Sequence, residues 1–426
     1  MSADGNSPTS PLDMAALSKS SLDGSFEKCI KCTVCTVYCP VAKANPNYPG
    51  PKQSGPDGER VRRKDPALFD DYLKLCTNCK RCEIACPSGV NIGDIIAQAK
   101  LTNTEGGWKN SGAISPKRVR DYILSSTDLM GGMVANPLAK IVNKVVALKP
   151  IKVVMEKTIG VSAQRTFPKY AEQSFVSWYK KQEATQNQFE RQVHYFHGCS
   201  VNYNMPELGH ALVEVLNKMN IGVQIAKKAK CCGVPLVANG FKDKAMKNAT
   251  ANIEVYKDEL ERQPGTIIAT SSSCSYMLSD EYDHVLGLDN EPFKKNLQFF
   301  SRYLINEFDA GNMPKLKPLN LTLAYHTPCH LERSGGVIYT LELLSRIPGI
   351  NLIRLDPNCC GIAGTYGFKE ENYETSQKIG SPVFKQIEES GCDYVITDCE
   401  TCRWQVEMST TKEVLHPIEL LARALA

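Results

Sequence analysis

Apolar residues recur along this chain at two periods, and the change from one to the other divides it. Leu138, Ile141, Val142, Val145 and Val146 follow the i, i+3, i+4, i+7, i+8 spacing of one helix face, with Lys140 and Lys144 on the other side. After Pro150 the spacing resumes in Ile151, Val154, Met155 and Ile159, with Lys152 and Lys157 opposite. An apolar stripe edged by lysines suits a helix lying in a membrane interface, and equally one packed on its own domain or on a partner. The most apolar stretch, 129–148, is interrupted by both of the first two lysines, so no span of about 20 apolar residues is predicted. From Gln192 onward the pattern becomes β/α: β-like runs at 192–197, 266–270, 321–326 and 394–397 alternate with amphipathic helices at 211–219 and 339–346.

That last part repeats. YFHGC, ending at Cys199, matches AYHTPC, ending at Cys329; KCCG, at Cys231 and Cys232, matches NCCG, at Cys359 and Cys360; IIATSSSC matches YVITDCETC. Cys231 to Cys359 and Cys274 to Cys402 span the same interval, which marks two tandem copies of one unit. The predicted organisation is a flexible Ser-, Pro- and Gly-rich tail over 1–25, a compact cysteine-rich domain over 26–100, and a helical linker over 101–190 carrying the amphipathic segment. A first α/β lobe over 191–318 and a second over 319–426 follow. Within the cysteine-rich domain, 67–76 and 93–100 read as helical and the Pro- and Gly-punctuated stretch 45–65 as a loop. The fold class is α+β.

With 426 residues, 42% hydrophobic and 23% charged, the chain fills several globular domains, and a net charge of +4 gives no support to nucleic-acid binding. The composition changes the picture in one respect, the 18 cysteines. The N-terminus MSADGNSPTSPLDMAALSKSS lacks the basic start and apolar core of a signal peptide. A cytoplasmic location is therefore expected, where thiols mean metals or redox chemistry and not disulfides.

Cys29-x2-Cys32-x2-Cys35-x3-Cys39-Pro40 and Cys76-x2-Cys79-x2-Cys82-x3-Cys86-Pro87 are the strongest signals. This run binds [4Fe–4S] clusters, and in two-cluster ferredoxins the fourth cysteine ligates the other cluster. The expected sets are Cys29, Cys32, Cys35 with Cys86, and Cys76, Cys79, Cys82 with Cys39. Structural zinc rarely uses four cysteines packed so closely before a proline, twice over. The vicinal Cys-Cys-Gly pairs are the second signal. Adjacent cysteines bridge each other poorly, because their Cα atoms are about 3.8 Å apart, yet their thiolates can meet neighbouring irons of one cluster. In the second lobe Cys329, Cys359, Cys360, Cys399 and Cys402 give five thiolates; in the first, Ser271 replaces the counterpart of Cys399 and leaves Cys199, Cys231, Cys232 and Cys274. His326 and His330 flank Cys329, where they could relay protons or hydrogen-bond cluster sulfur; they read first as structural histidines, and no spacing separates the two roles. Gly361, Gly364 and Gly367 do not have dinucleotide-fingerprint spacing and no Walker loop occurs, so neither a flavin nor a nicotinamide cofactor is expected in this chain. The remaining chemistry is electron transfer.

The chain resembles the C-subunit family of anaerobic glycerol-3-phosphate dehydrogenases. The resemblance runs from about residue 25 to the C-terminus, through the two ferredoxin-type runs, the loop NPNYPGPKQSGPDGER, both CCG lobes and TDCETCRWQVEMST. The runs and CCG lobes alone are shared with iron–sulfur subunits of glycolate and lactate oxidation and of heterodisulfide reductase; the loop and its flanks narrow the choice. The resemblance implies an N-terminal α-helical ferredoxin-type domain with two [4Fe–4S] clusters, followed by two tandem α/β CCG lobes. It further implies a peripheral membrane protein on the cytoplasmic face of the inner membrane. There it works next to a B-subunit, takes electrons from a flavin-containing A-subunit, and passes them to a membrane quinone, usually menaquinone. It also implies a non-cubane [4Fe–4S] cluster on Cys329, Cys359, Cys360, Cys399 and Cys402.

Overall fold

Two thiol-bearing turns organise the N-terminal part. Lys31 and Thr33 in the first run, and Asn78 and Lys80 in the second, take left-handed backbone with φ of 60°, 64°, 52° and 61°, which wraps the chain around a point instead of along a helix axis. Each run then ends in Cys-Pro. Pro40 opens the helix Pro40–Ala44, and the Ala42 N–H donates to Cys39 Sγ at 3.4 Å; the Val90 N–H does the same to Cys86 Sγ at 3.4 Å. The computed structural model describes residues 24–65, 71–110, 115–136 and 138–426, with side chains described outside 103–110. The tail predicted over 1–25 lies, but for its last two residues, outside the described residues.

The stretch 45–65, expected as a loop, is helical over 51–62, with a wide turn at Gln53–Asp57 followed by Gly58–Arg62. Its glycine serves close packing: a Cβ on Gly55 would stand 2.8 Å from Ile92 Cγ2. The buried Arg62 guanidinium donates to the Ser54 and Gly55 carbonyls. The following helix, Ile92–Asn110, crosses the boundary expected at residue 100. Ile92, Ile95, Ile96 and Ala99 belong to the core of the cysteine-rich domain, whereas Ala97 and Leu101 pack into the core of the first lobe. One helix thus presents two apolar faces to two domains.

The linker continues in helices Pro116–Ser125, Thr127–Val134, Ala139–Ala147 and Lys149–Ile159. Among the described residues, the last two turn their apolar stripe outward: Ile141 is 61%, Val154 56% and Leu148 54% exposed. Ala139 is the only buried residue of Ala139–Ala147, and Lys149–Ile159 has none. No described helix is long and apolar enough to cross a membrane.

Each lobe is a four-stranded parallel sheet with helices on its faces. β1 (Arg191–Phe196), β2 (Ile221–Ile225), β3 (Ile267–Ala269) and β4 (Leu297–Phe299) stand in the order β2-β1-β3-β4. β5 (Leu321–Tyr325), β6 (Ile350–Arg354), β7 (Tyr394–Ile396) and β8 (Val414–Leu415) stand in the order β6-β5-β7-β8. The registers correspond, Arg191 opposite Ile221 and Leu321 opposite Ile350. In both sheets the chain leaves the first strand for one neighbour and returns to the other side, making a switch point at the C-terminal strand ends, where α/β sheets place their sites. One apolar cluster spans both lobes, from Leu212, Val215 and Leu216 to Leu420 and Leu421.

The cysteine-rich domain is clasped to both lobes by buried charge. Lys80, fully buried, meets Asp94 in its own domain and Glu281 of the first lobe at 3.0 Å, with Glu83 at 3.8 Å. Arg333 of the second lobe closes on Glu83 at 2.9 Å, and His284 of the first approaches Asp94 at 3.5 Å. Lys80→Met would leave three buried carboxylates short of a cation. We expect a loss of about 3–5 kcal/mol of stability, as for other broken buried pairs, read as a lower thermal unfolding midpoint of the whole chain; Lys294→Ala, at a solvent-exposed pair with Asp283, should barely move it.

Candidate metal centres

The pseudo-symmetric turns of the N-terminal domain gather its eight thiols into two groups, each crossing between the runs. Cys39 joins Cys76, Cys79 and Cys82 around one pocket, also lined by Tyr48 and Lys80. Cys86 joins Cys29, Cys32 and Cys35 around the other, beside Lys52. Burial drives the Cys39 and Cys82 thiols well above their ordinary range, so these sulfurs carry thiolate charge only with a cation among them. A donor set of four soft sulfurs around an enclosed point fits an iron–sulfur cluster.

In the second lobe the five candidate ligand thiols sit past parallel strands: Cys329 after β5, Cys359 and Cys360 after β6, Cys399 and Cys402 after β7. Cys360 and Cys402 Sγ are 3.3 Å apart, Cys359 hydrogen-bonds Cys329 and Cys360, and Cys402 hydrogen-bonds Cys399. Hydrogen bonds from Cys402, then from Thr401 and Ser273, outweigh burial and bring Cys399 down to about 5. Hydrogen bonds from Cys359 and Cys402 likewise hold Cys360 well below the usual thiol range. Gly361, with φ of 88°, makes the turn possible, since a Cβ there would stand 2.1 Å from the Ser376 carbonyl oxygen. Cys79 and Cys76 of the N-terminal domain pack against an apolar cluster that holds both Cys39 and Cys359, and Cys79 lies beside Cys359, so this group of thiols abuts the one formed by Cys39, Cys76, Cys79 and Cys82.

The first lobe brings Cys199, Cys231, Cys232 and Cys274 into one chain of contacts. Cys199 and Cys231 Sγ are 3.8 Å apart, and Cys232 hydrogen-bonds both Cys231 and Cys274. Ser271 occupies the helix N-cap that Cys399 occupies in the second lobe. Its hydroxyl accepts from the Cys274 N–H at 3.5 Å and also bonds Glu400 across the lobe interface. Residues that the cysteine pattern did not reveal close over this site. Asp128, from Thr127–Val134, accepts from the Cys231 N–H at 2.5 Å, and burial raises its carboxyl to about 7.

The matches to known proteins cover the same three segments of the chain. A 4Fe-4S dicluster domain model matches residues 25–90, and a cysteine-rich (CCG) domain model matches 193–279 and again 323–407. The chain is 54% identical over 406 residues to the C-subunit of the anaerobic glycerol-3-phosphate dehydrogenase of Escherichia coli K12, covering 95% of this chain and all of that protein. The chain belongs to the C-subunit family of anaerobic glycerol-3-phosphate dehydrogenases. More distant relatives include the B-subunit of the fumarate reductase (CoM/CoB) of Methanothermobacter marburgensis, 26% identical over 92% of this chain and 70% of that protein. The D-subunit of the dihydromethanophenazine:CoB–CoM heterodisulfide reductase of Methanosarcina barkeri is 24% identical over 94% of both.

Within this member of the C-subunit family, one polar side chain missed by the cysteine pattern, Arg165, borders the second-lobe thiols, beside the two histidines already noted. Arg165 is fully buried and donates to the Gly367 carbonyl at 2.5 Å, to Gln405 and to Ser376 Oγ at 2.8 Å. All three partners are uncharged, and they lie on the segments that follow the cysteines. His330 is satisfied as a structural histidine, by Ser273 Oγ at 3.2 Å and the Asn78 carbonyl at 3.0 Å. His326 departs from that expectation: it is 1% exposed, burial lowers it to about 4, and neither ring nitrogen has a hydrogen-bond partner among the described residues. The remaining cysteine, Cys392, packs in the core with Ile387 and Val395. On this geometry Cys39→Ser should disturb the centre built on Cys76, Cys79 and Cys82 and spare the one built on its own run. EPR of the reduced, anaerobically purified protein reads this, and the opposite pattern would refute the crossed grouping.

Proposed function

We propose that this chain is the electron-transfer subunit of a quinone-dependent anaerobic glycerol-3-phosphate dehydrogenase. In this reading it works next to a B-subunit, accepts electrons from a flavin-containing A-subunit, and delivers them to a membrane quinone, menaquinone in the first instance. Cys29, Cys32, Cys35 and Cys86 hold one [4Fe–4S] cluster, Cys76, Cys79, Cys82 and Cys39 the second, and the five second-lobe thiolates a non-cubane one. The first-lobe set, lacking the fifth thiolate, is the weaker candidate. Iron–sulfur clusters supply one-electron carriers between the two-electron chemistries of flavin and quinone. The observation that supports the reading best is the contact of Cys79 with Cys359, which makes a ferredoxin-type site and the second-lobe site immediate neighbours. The protein's part is to fix those thiols in register and to exclude water around them: Cys39, Cys82, Cys359, Cys360, Cys399 and Cys402 are all buried.

The same reading places the chain peripherally on the cytoplasmic face of the inner membrane. A quinone is a bilayer molecule, and the outward apolar stripe of Ala139–Ala147 and Lys149–Ile159, with Lys140, Lys144, Lys152 and Lys157 beside it, has the make-up of an interfacial helix pair. Replacing Ile141, Val145 and Val154 with Asp should lower the membrane-bound fraction of the complex more than about tenfold, because each lost apolar side chain forfeits on the order of 1 kcal/mol. Iron content should not change. Retention of the triple variant on membranes would make the stripe a protein–protein contact within the complex.

The decisive assay is glycerol-3-phosphate-dependent quinone reduction by the complex purified with its neighbouring subunits. Cys360→Ser should abolish it while both ferredoxin-type centres remain reducible by the flavoprotein. Cys232→Ser should cost stability more than turnover. Reduction of quinone by the Cys360→Ser complex at the wild-type rate would refute the assignment of the second lobe.

A further inference from the structure

The unpartnered imidazole of His326 needs an explanation that the five thiolates do not supply. A neutral imidazole offers one lone pair and one N–H, and a buried side chain leaves neither unused without cost. His326 stands immediately beyond β5, and its backbone N–H is bonded to the Ile396 carbonyl at 2.9 Å, so the residue is anchored in the sheet. Its ring is turned toward the sulfurs: a ring nitrogen, Cys360 Sγ and Cys402 Sγ all lie within 4.8 Å of one another. Ligand atoms bound to one tetrahedral ion, with metal–sulfur bonds of about 2.3 Å and metal–nitrogen bonds of about 2.0–2.1 Å, are about 3.3–3.8 Å apart. The three donors are thus within a small closure of sharing an ion.

The first lobe provides the internal contrast. His197 occupies the corresponding place after β1, but its Nδ1 is bonded to the Gly198 carbonyl at 2.8 Å. The lobe that lacks the fifth thiolate has a satisfied histidine, and the lobe with all five has an unpartnered one.

We propose that His326 is a sixth protein donor to the second-lobe centre, binding through one ring nitrogen the metal ion held by Cys360 and Cys402. Coordination would use the lone pair of that nitrogen, which no hydrogen bond occupies among the described residues. The inference rests on the reading that the second lobe holds an iron–sulfur centre. A neutral nitrogen among thiolates makes the centre less negative and raises its reduction potential relative to all-sulfur ligation, as histidine ligation does in other iron–sulfur centres.

The test uses the anaerobically purified complex in two forms, with histidine at natural abundance and with ¹⁵N-histidine. Pulsed EPR of the second-lobe signal should show a directly bonded nitrogen whose coupling changes on labelling. That coupling should be lost in His326→Ala and survive in His330→Gln, with iron and sulfide content unchanged. A second-lobe signal carrying only weak nitrogen couplings that ignore the label overturns the proposal and leaves the reading of the lobe intact, as does a bonded nitrogen that persists in His326→Ala. Iron and sulfide sufficient only for the two ferredoxin-type clusters overturns both. If His326→Ala fails to assemble, the labelling comparison on the unsubstituted complex still decides.

Discussion

One buried ammonium sets the arrangement of the three globular parts. Lys80 sits in the left-handed turn between Cys79 and Cys82, and its fully buried Nζ is shared among Asp94, Glu83 and Glu281. Three carboxylates and a lysine cannot be buried unless every charge has a close partner. The requirement therefore fixes the loop that carries Cys79 against the first lobe and, through Arg333 and Glu83, against the second. Asn78 extends the same clasp, bonding Glu281 through its amide at 2.8 Å and His330 through its carbonyl. The thiol contact between Cys79 and Cys359 follows from this clasp.

The two lobes diverge at the places where their chemistry would differ. They share a sheet order, a register and a switch point, so each presents three strand ends to a cysteine-bearing loop. At one N-cap the second lobe spends a cysteine and the first a serine, and the serine hydroxyl is taken up by capping and by Glu400. A hydroxyl is a good helix cap but, with its high pKa, a poor substitute for a thiolate at iron. Asp128 then enters the first-lobe site from the linker. The shared core keeps both lobes in one orientation, and Ser273 of the first lobe reaches Cys399 Sγ of the second at 3.9 Å.

Buried arginines tie down the ends of the linker, and Asn143 holds its middle to the Tyr170 backbone. Arg120 is buried against Glu371 and the Gly160 carbonyl, and Arg165 is locked among Gly367, Ser376 and Gln405. Between these anchors the helices Ala139–Ala147 and Lys149–Ile159 keep their apolar stripe in solvent. Buried arginines hold a segment more firmly than surface pairs do, because removing the partner would strand a charge in the interior.

Much of this was written in the sequence. Cysteine spacing followed by proline specified the two N-terminal runs, because the turn that wraps four thiols around a point needs those intervals. The internal repeat specified two like lobes, and the residues at 192–197 and 321–326 proved to be the central strands of their sheets. Local pattern misread 51–62 as part of a loop, since Gly55 and Pro56 look like breakers until Ile92 is seen packed against Gly55. It also left the amphipathic stripe undecided, because periodicity shows that a face is apolar and not whether anything covers it. Only the tertiary structure brought together Lys80 with Glu281, Cys79 with Cys359, and His326 with Cys360 and Cys402. These residues are far apart in the chain, and no period or spacing encodes a contact that exists only once separate domains have packed.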